Sequence, residues 1–432
     1  MKIDFNRIHP SALFIIKQLK HNGFEAYLVG GAVRDLLIDK EPKDFDIVTS
    51  ATNSQIAGLF EICELIGRRF PIALVRINKE IFEVSTFVTE EEDQSLSVIR
   101  KREKGEDRIP GTMLADSSRR DFTVNGLYYC PAEDKVFDRE GGLDDLMQRQ
   151  LRFIGNAEAK ILEDPVRIIR GIRLSFQIGL NISEELNTLF QKYAFRIDES
   201  SKSRLIEEIG KILGCGHSHE IFLKLIKLGV FSKSFPHFYK FLTEEFARVD
   251  GLNLLTVLKE VDRIVIQYGK MRESSLFGVL CLPFITREYG LIWESNPPSI
   301  ELVERLKVKF SEIWIEIALK KWAKQKVIDM YLTQWRFVFP KDKIFKSNII
   351  FKEYFLDSFR LFRFYSNLTG LYPDYLNFWG IARKHPELLN ELLDAFSKGE
   401  NLNDEKFLTN AIKKSPKRSR WKSYHARKKK KG

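Results

Sequence analysis

The sequence is poor in cysteine, and the four it has, Cys63, Cys130, Cys215 and Cys281, follow no paired spacing. Small secreted scaffolds depend on closely spaced cysteine pairs, so this pattern excludes a disulfide framework and suits a reducing cytosol. Long apolar runs are missing too. No stretch reaches the roughly eighteen apolar residues of a membrane span, and the opening MKIDFNRIHP lacks the apolar core of a secretory leader. There is no repeat of fixed period. GCGHSHE makes a poor metal motif, because Cys215, His217 and His219 alternate too tightly and have no fourth partner. A polar loop or helix start is the expectation there.

Acid is absent from the last twenty residues. Residues 413–432 carry eleven Lys and Arg, equal to the whole net charge of +11, so residues 1–412 are balanced. Basicity is thus a property of the tail, and basic tails bind polyanions, nucleic acid above all. Lys417, Arg418, Arg420 and Lys422 surround Trp421, with Tyr424 nearby, and such aromatics can stack on bases. The competing reading is a solvated, disordered end. Elsewhere, 34 Phe against six Trp point to bulky packing between helices, since Phe fills gaps without needing a polar partner.

Periodicity divides the chain. Residues 10–21 read as a helix, AYLVG at 26–30 as a short buried strand, and GAVRDLLI as a second helix. DFDIVTS at 44–50 reads as a strand, as do 71–77 and 80–87 across the turn Asn78-Lys79. Residues 89–117 are charged and without period, which predicts a mobile loop. Beyond Glu158, helix-period stretches dominate: 164–178, 183–194, 203–214, 218–228 and 252–268. The expected architecture is an α/β head (1–150), a helical neck (151–240), a helical body (241–412) and a disordered basic tail (413–432).

The chemistry starts at Asp44 and Asp46. On a strand, residues two apart share a face at about 6.5–7 Å, and two carboxylates so held repel unless a cation lies between them. Mg²⁺ takes such ligands together with substrate phosphates. Gly30-Gly31, between a strand and a helix, would let backbone N–H groups approach a triphosphate, with the helix N-terminus adding favourable charge. Arg34 in the first turn could meet phosphate oxygens; the competing reading pairs it locally with Asp35. Alternation in IFEVSTF sets Glu83 on the polar face, a third carboxylate of the kind two-metal phosphoryl transfer uses.

LVGGAVRDLLIDKEPKDFDIVTSA resembles the opening motif of the class II nucleotidyltransferases, the tRNA nucleotidyltransferase/poly(A) polymerase family, whose heads are polymerase β-like. RRDFTVNGL from Arg119 is similar to that family's second block, and EDPVRIIRGIRLSFQIGLNIS from Glu163 to its third. The resemblance implies that Gly30, Gly31 and Arg34 handle the incoming triphosphate, and that Asp44 and Asp46 bind the metals with Glu83 as third carboxylate. It implies that Arg120, Asp121 and Asn125 meet sugar and phosphates, and that Asp164 and Arg167 read the base, with Arg170 and Arg173 alongside on one helix. It implies too that the neck (151–240) recognises the nucleotide while the helical body (241–412) binds RNA. Gly171 and Leu174 depart from the family's usual Ala and Phe. Gly67-Arg68-Arg69-Phe70 matches the signature of the family's polyadenylating branch and makes Arg68 and Arg69 RNA-binding candidates. The implied activity is transfer of AMP from ATP to single-stranded RNA 3′ ends, with Mg²⁺ or else Mn²⁺, by a cytoplasmic monomer without membrane contact, RNA-decay proteins being candidate partners. CCA addition to tRNA and noncatalytic RNA binding through a nucleotide-sensing head stay open.

Overall fold

A computed structural model describes residues 2–66, 72–88, 110–236, 239, 253–269, 271–289, 299–338 and 348–403. The chain forms two compact units, Met1–Ile197 and Asp198–Gly432. Arg68, Arg69, most of the segment expected as a mobile loop, and the basic tail lie outside the described residues.

The first unit is built on a seven-stranded sheet in the order β3-β4-β5-β2-β1-β6-β7, an α/β head as expected. Its strands are β1 (Ala26–Val29), β2 (Ile47–Thr49), β3 (Cys63–Ile66), β4 (Ile72–Ile77), β5 (Glu80–Thr86), β6 (Leu127–Cys130) and β7 (Lys135–Asp138). Only β2 and β5 run parallel; the other pairs are antiparallel. Asn78 and Lys79 both have positive φ, the backbone of a tight hairpin turn, and join β4 to β5 as their polarity predicts. Helices α1 (Pro10–His21), α2 (Gly31–Leu37) and α3 (Asn53–Leu59) accompany the sheet. Tyr27, Val29, Val48, Tyr128 and Cys130 of strands β1, β2 and β6 form a buried cluster with Phe87, which follows β5.

Three expectations need correcting. Asp44 and Asp46 lie in an extended approach to β2 and not within it, although the pairing begins at Asp46, whose carbonyl accepts from the Val29 N–H at 3.1 Å. Residues 113–117 are not loop. They open α4 (Met113–Arg119), because the Thr112 hydroxyl accepts from the Ala115 N–H at 3.2 Å and caps the first turn. Asp164 is not helical either. It closes α6 (Ala157–Glu163) in an extended conformation, one residue before Pro165 and α7 (Val166–Ile178). Proline disfavours the helical region for the residue before it, which is why the two helices break at Asp164.

Between β7 and α6 lies α5 (Gly142–Met147), a short helix that locks the 3₁₀ turn Thr123–Asn125. The Asp138 carboxylate caps α5, accepting from the N–H groups of Gly142 and Leu143 at 2.9 and 2.8 Å. Asp145 on α5 accepts from the Thr123 hydroxyl at 2.5 Å and from Arg152 Nε at 2.9 Å. Gly142 makes this possible: a Cβ there would stand 2.2 Å from the Thr123 carbonyl oxygen. Backbone on both sides cannot give way as a side chain would. Gly142→Ala should therefore cost about 3 kcal/mol in urea unfolding, the upper end of overpacking penalties.

After α7 comes α8 (Glu184–Tyr193), continued by a 3₁₀ helix over Ala194–Glu199. The second unit is helical throughout its described residues: α9 (Lys202–Leu213), α10 (Ser218–Lys227), α11 (Val230–Ser234), α12 (Leu254–Tyr268), α13 (Glu273–Leu280), α14 (Leu282–Tyr289), α15 (Ile300–Glu316), α16 (Lys321–Leu332), α17 (Phe355–Thr369), α18 (Pro373–Lys384) and α19 (Leu389–Ser397). Phenylalanine fills it as the composition suggests. Phe337 stacks on Phe362 at 5.1 Å and meets Trp379 edge-on at 5.5 Å, and the Trp379 indole N–H donates to the Phe337 carbonyl at 2.9 Å. GCGHSHE is a helix start: the Asp262 carboxylate accepts from the N–H groups of Ser218 and His219 at 2.7 and 2.9 Å. No helix among the described residues is long and apolar enough to cross a membrane.

Candidate active site

Register assembles the site. Leu28 pairs with Ile47 and the parallel ladder pairs Ile47 with Val84, so one step earlier Asp46 lies beside Val29 on one side and Glu83 on the other. Val29 is followed at once by Gly30, whose N–H donates to the Leu127 carbonyl of β6 at 3.0 Å. Gly30, Asp46 and Glu83 thus share one edge of the sheet although the sequence spreads them over more than fifty residues.

The three carboxylates feel one another. Asp46 is exposed by its surface area yet crowded by surrounding protein, and that crowding, reinforced by the Glu83 and Asp44 charges and opposed by Arg120, raises its carboxyl to a pKa of about 6. Among the described residues, no three carboxylate, thiol or imidazole groups converge as a ready-made metal cluster. The donor set nevertheless suits a hard divalent cation: three oxygen ligands whose mutual repulsion a cation would relieve.

Gly30 has φ 70° and ψ −130°, a conformation that costs glycine little and other residues much. A Cβ there would also come within 3.3 Å of Arg120 Nη1. The seven-residue α2 that follows contributes little dipole. Positive charge at the glycine turn comes instead from two guanidinium groups, Arg34 and Arg120. Arg120 is held by Asp116, at 3.0 Å from Nη2, and by the Tyr128 hydroxyl at 3.1 Å from Nε. Burial pushes the Tyr128 hydroxyl up, so it stays protonated and donates to Asp116.

Arg34 is buried and does pair with Asp35, Nε to Oδ1 at 2.8 Å. The local ion pair and the wider role prove compatible, because its Nη1 donates to Asn125 Oδ1 at 2.5 Å. Asn125 reaches Asp121 at 3.5 Å, and Asp121 meets Arg170 of α7 at 3.4 Å. One polar chain, Asp35–Arg34–Asn125–Asp121–Arg170, therefore ties the three separated sequence blocks together.

Asp164 is nearly buried, and its carboxylate accepts from the Val166 N–H at 3.3 Å. The Arg167 guanidinium turns back onto the Lys160 carbonyl at 2.6 Å and pairs with Glu163. Arg173 donates to Gln177 at 3.0 Å, one turn on. Lys160 was not singled out from the sequence. Its ammonium donates to the carbonyls of Ser118 and Arg120, at 3.0 and 3.3 Å, and so braces the Arg119-Arg120 backbone from α6. Asp116 was detectable, since it stands four residues before Arg120 on one helix face. Lys160 and Tyr128 gave no such signal.

Gly171 has a packing reason. A Cβ would sit 3.0 Å from Phe190, 3.1 Å from Phe122 and 3.2 Å from Leu151. Alanine would gain about 1 kcal/mol of helix propensity and lose about 1–3 kcal/mol to crowding. Gly171→Ala should leave the urea midpoint unchanged or lowered; a clear rise would show that the three neighbours relax freely.

Similarity to known proteins agrees with this geometry. The family described as "Poly A polymerase head domain" matches residues 26–152, and "Probable RNA and SrmB- binding site of polymerase A" matches residues 179–242. Poly(A) polymerase I of Salmonella typhimurium is 36% identical over 278 residues, 63% of this chain and 60% of the relative. The CCA-adding enzyme of Geobacillus sp. is 34% identical over 220 residues, 51% of this chain and 53% of the relative. The chain thus spans less than two thirds of the length of these relatives. A crystal structure of Bacillus stearothermophilus CCA-adding enzyme with CTP shares the fold at 19% identity and a TM-score of 0.50, covering 96% of this chain and all of the other. Residues 26–152 thus match a poly A polymerase head domain, and over that region and beyond the chain is similar to bacterial poly(A) polymerases and CCA-adding enzymes alike.

Proposed function

We propose that the chain adds adenylates to RNA 3′ ends without a template, transferring AMP from ATP and releasing pyrophosphate. The observation that carries this reading is the polar chain from Asp35 to Arg170, which joins the glycine turn, the Asp121–Asn125 turn and α7 into one site. In this reading the backbone of Gly30 and Gly31 faces the triphosphate, with Arg120 the guanidinium beside it and Arg34 holding Asn125 in place. Asp121 and Asn125 contact the ribose, and Asp164, Arg167, Arg170 and Arg173 select the base.

Asp44 and Asp46, with Glu83 beside them, are the residues that would hold Mg²⁺ or Mn²⁺. When bound, such ions supply electrostatic stabilisation of the α-phosphate and a more acidic 3′-hydroxyl. The residues themselves position the reactants: the RNA 3′-oxygen attacks the α-phosphorus in line, the α–β bridging bond breaks, and the hydroxyl proton passes to water or a carboxylate. Arg68, Arg69 and the tail residues Lys417, Arg418, Arg420 and Lys422 grip RNA.

Two features favour polyadenylation over CCA addition: the Gly67–Phe70 signature, and the longer match to poly(A) polymerase I than to the CCA-adding enzyme. The fold favours neither, since the CCA-adding enzymes that share it do so at under a fifth identity. The deciding assay offers ATP or CTP separately to a generic RNA and to a tRNA lacking CCA. Long ATP-dependent tails on both RNAs support the proposal. CTP incorporation confined to tRNA would replace it with CCA addition, and no incorporation would leave RNA binding alone.

A further inference from the structure

Arg120 is fixed at both ends. Its backbone N–H donates to the Ser117 carbonyl at 3.1 Å, and its own carbonyl accepts from the Lys160 ammonium at 3.3 Å. At the far end of the side chain, one carboxylate oxygen of Asp116 collects three donors: Arg120 Nε at 3.3 Å, Arg120 Nη2 at 3.0 Å and the Tyr128 hydroxyl at 2.5 Å. The Tyr128 oxygen also accepts from Nε, at 3.1 Å, and the guanidinium carbon lies 5.3 Å from the centre of the Tyr128 ring. Asp116 is anchored in turn. It stands on α4, and its other carboxylate oxygen accepts from the Val88 N–H at 3.4 Å.

This grip leaves one nitrogen unused. Among the described residues nothing accepts from Arg120 Nη1, although its N–H groups are donors like the others. Nη1 is also the atom that faces the glycine turn, 3.3 Å from the place a Gly30 Cβ would take. A guanidinium is a planar fork, so holding two of its nitrogens sets the direction of the third. Asp116 and Tyr128 are both buried, and water competes little for hydrogen bonds made there. The donors left without a partner therefore point, in a fixed direction, at the turn whose backbone faces the triphosphate.

We infer that Asp116 and Tyr128 are positioning residues, which hold Arg120 so that its Nη1 meets a phosphate oxygen of the incoming nucleotide at Gly30. The inference rests on the reading of the chain as a nucleotidyltransferase, and it adds to that site two buried residues that act on the nucleotide only through Arg120.

The test measures binding of α,β-methylene-ATP with Mg²⁺ to the full chain by calorimetry, with AMP incorporation into an oligoribonucleotide followed in parallel. Asp116→Asn should weaken nucleotide binding roughly tenfold, the scale of one hydrogen bond to a charged group. KM for ATP should rise to match while KM for the RNA stays. Tyr128→Phe keeps the ring and the Asp116 pair, and should lose about fivefold. The decisive comparison is made without Arg120. In the Arg120→Met background, Asp116→Asn should change nucleotide affinity by no more than about twofold, because no guanidinium is left to aim. Circular dichroism and urea unfolding show which variants are folded. Equal losses with and without Arg120 would overturn the inference, since they would make Asp116 a support of the fold alone. So would unchanged nucleotide affinity in folded Asp116→Asn and Tyr128→Phe while the unaltered protein binds the analogue and extends RNA; the functional reading would then stand. If the unaltered protein neither binds the analogue nor extends RNA, that reading falls and takes the inference with it.

Discussion

Replacing Asp46 with asparagine is expected to cut nucleotidyl transfer by roughly three orders of magnitude or more while leaving the chain at least as stable at neutral pH. The loss follows from removing one of the three carboxylates proposed to hold the metal, since one lost electrostatic contact at a reacting centre costs about a hundred- to a thousandfold. The stability follows from linkage. Asp46 titrates at about 6 in the folded chain against an ordinary value of 3.8, so the folded state binds its proton more tightly than the unfolded state does. Ionisation therefore costs folding stability as pH rises through that window, and the cost is complete above about pH 6. Asparagine removes it. In metal-free buffer the variant and the unaltered protein should melt together near pH 4, and the variant should melt higher at pH 7. A variant that melts well below the parent at pH 7 would show that the Asp46 charge supports the fold.

Arg34→Ala should be costly in a different way. The Arg34 and Asp35 side chains retain only 8% and 11% of their exposure, and alanine would strand the Asp35 carboxylate in that environment. Removing one partner of a buried ion pair costs about 3–5 kcal/mol, and Asn125 would lose its donor at the same stroke. Urea unfolding should show that loss, together with a fall in activity. Arg34→Met/Asp35→Leu separates the two roles. Replacing both charges with apolar groups should recover most of the stability, yet activity should stay low because Asn125 is no longer held. Recovery of activity along with stability would limit Arg34 to a structural part.

Much of the head was legible because its signals are local. Helix α1, strand β1 and the β4–β5 hairpin each follow from apolar spacing and turn residues within one short segment. Strand β6 did not. All four residues of Leu127–Cys130 are buried, so LYYC shows no alternation to betray a strand. Helix α5 owes its position to the Asp138 cap and the contact of Gly142 with Thr123, both set by tertiary packing. The site divides in the same manner. Gly30, Arg34, Asp44, Asp46 and Asn125 stand in recognisable blocks. That Arg34 reaches Asn125, or that Lys160 braces the Arg120 carbonyl, depends on bringing together residues ninety-one and forty positions apart. No single-sequence pattern encodes such a pairing. Asp164 shows the converse: helical spacing on paper, interrupted because Pro165 follows.

The central claim, that the Gly30–Asp46 edge transfers a nucleotidyl group to an RNA 3′-hydroxyl, is tested most directly by stoichiometry. The measurement supplies α-labelled ATP, Mg²⁺ and an oligoribonucleotide, and follows label entering RNA together with pyrophosphate released. The prediction is one pyrophosphate for each AMP added, with neither product formed when the RNA 3′ end has been oxidised by periodate or when Asp44 and Asp46 are both asparagine. Label incorporation that survives the loss of both carboxylates, or pyrophosphate release that is indifferent to the 3′ end, would contradict it.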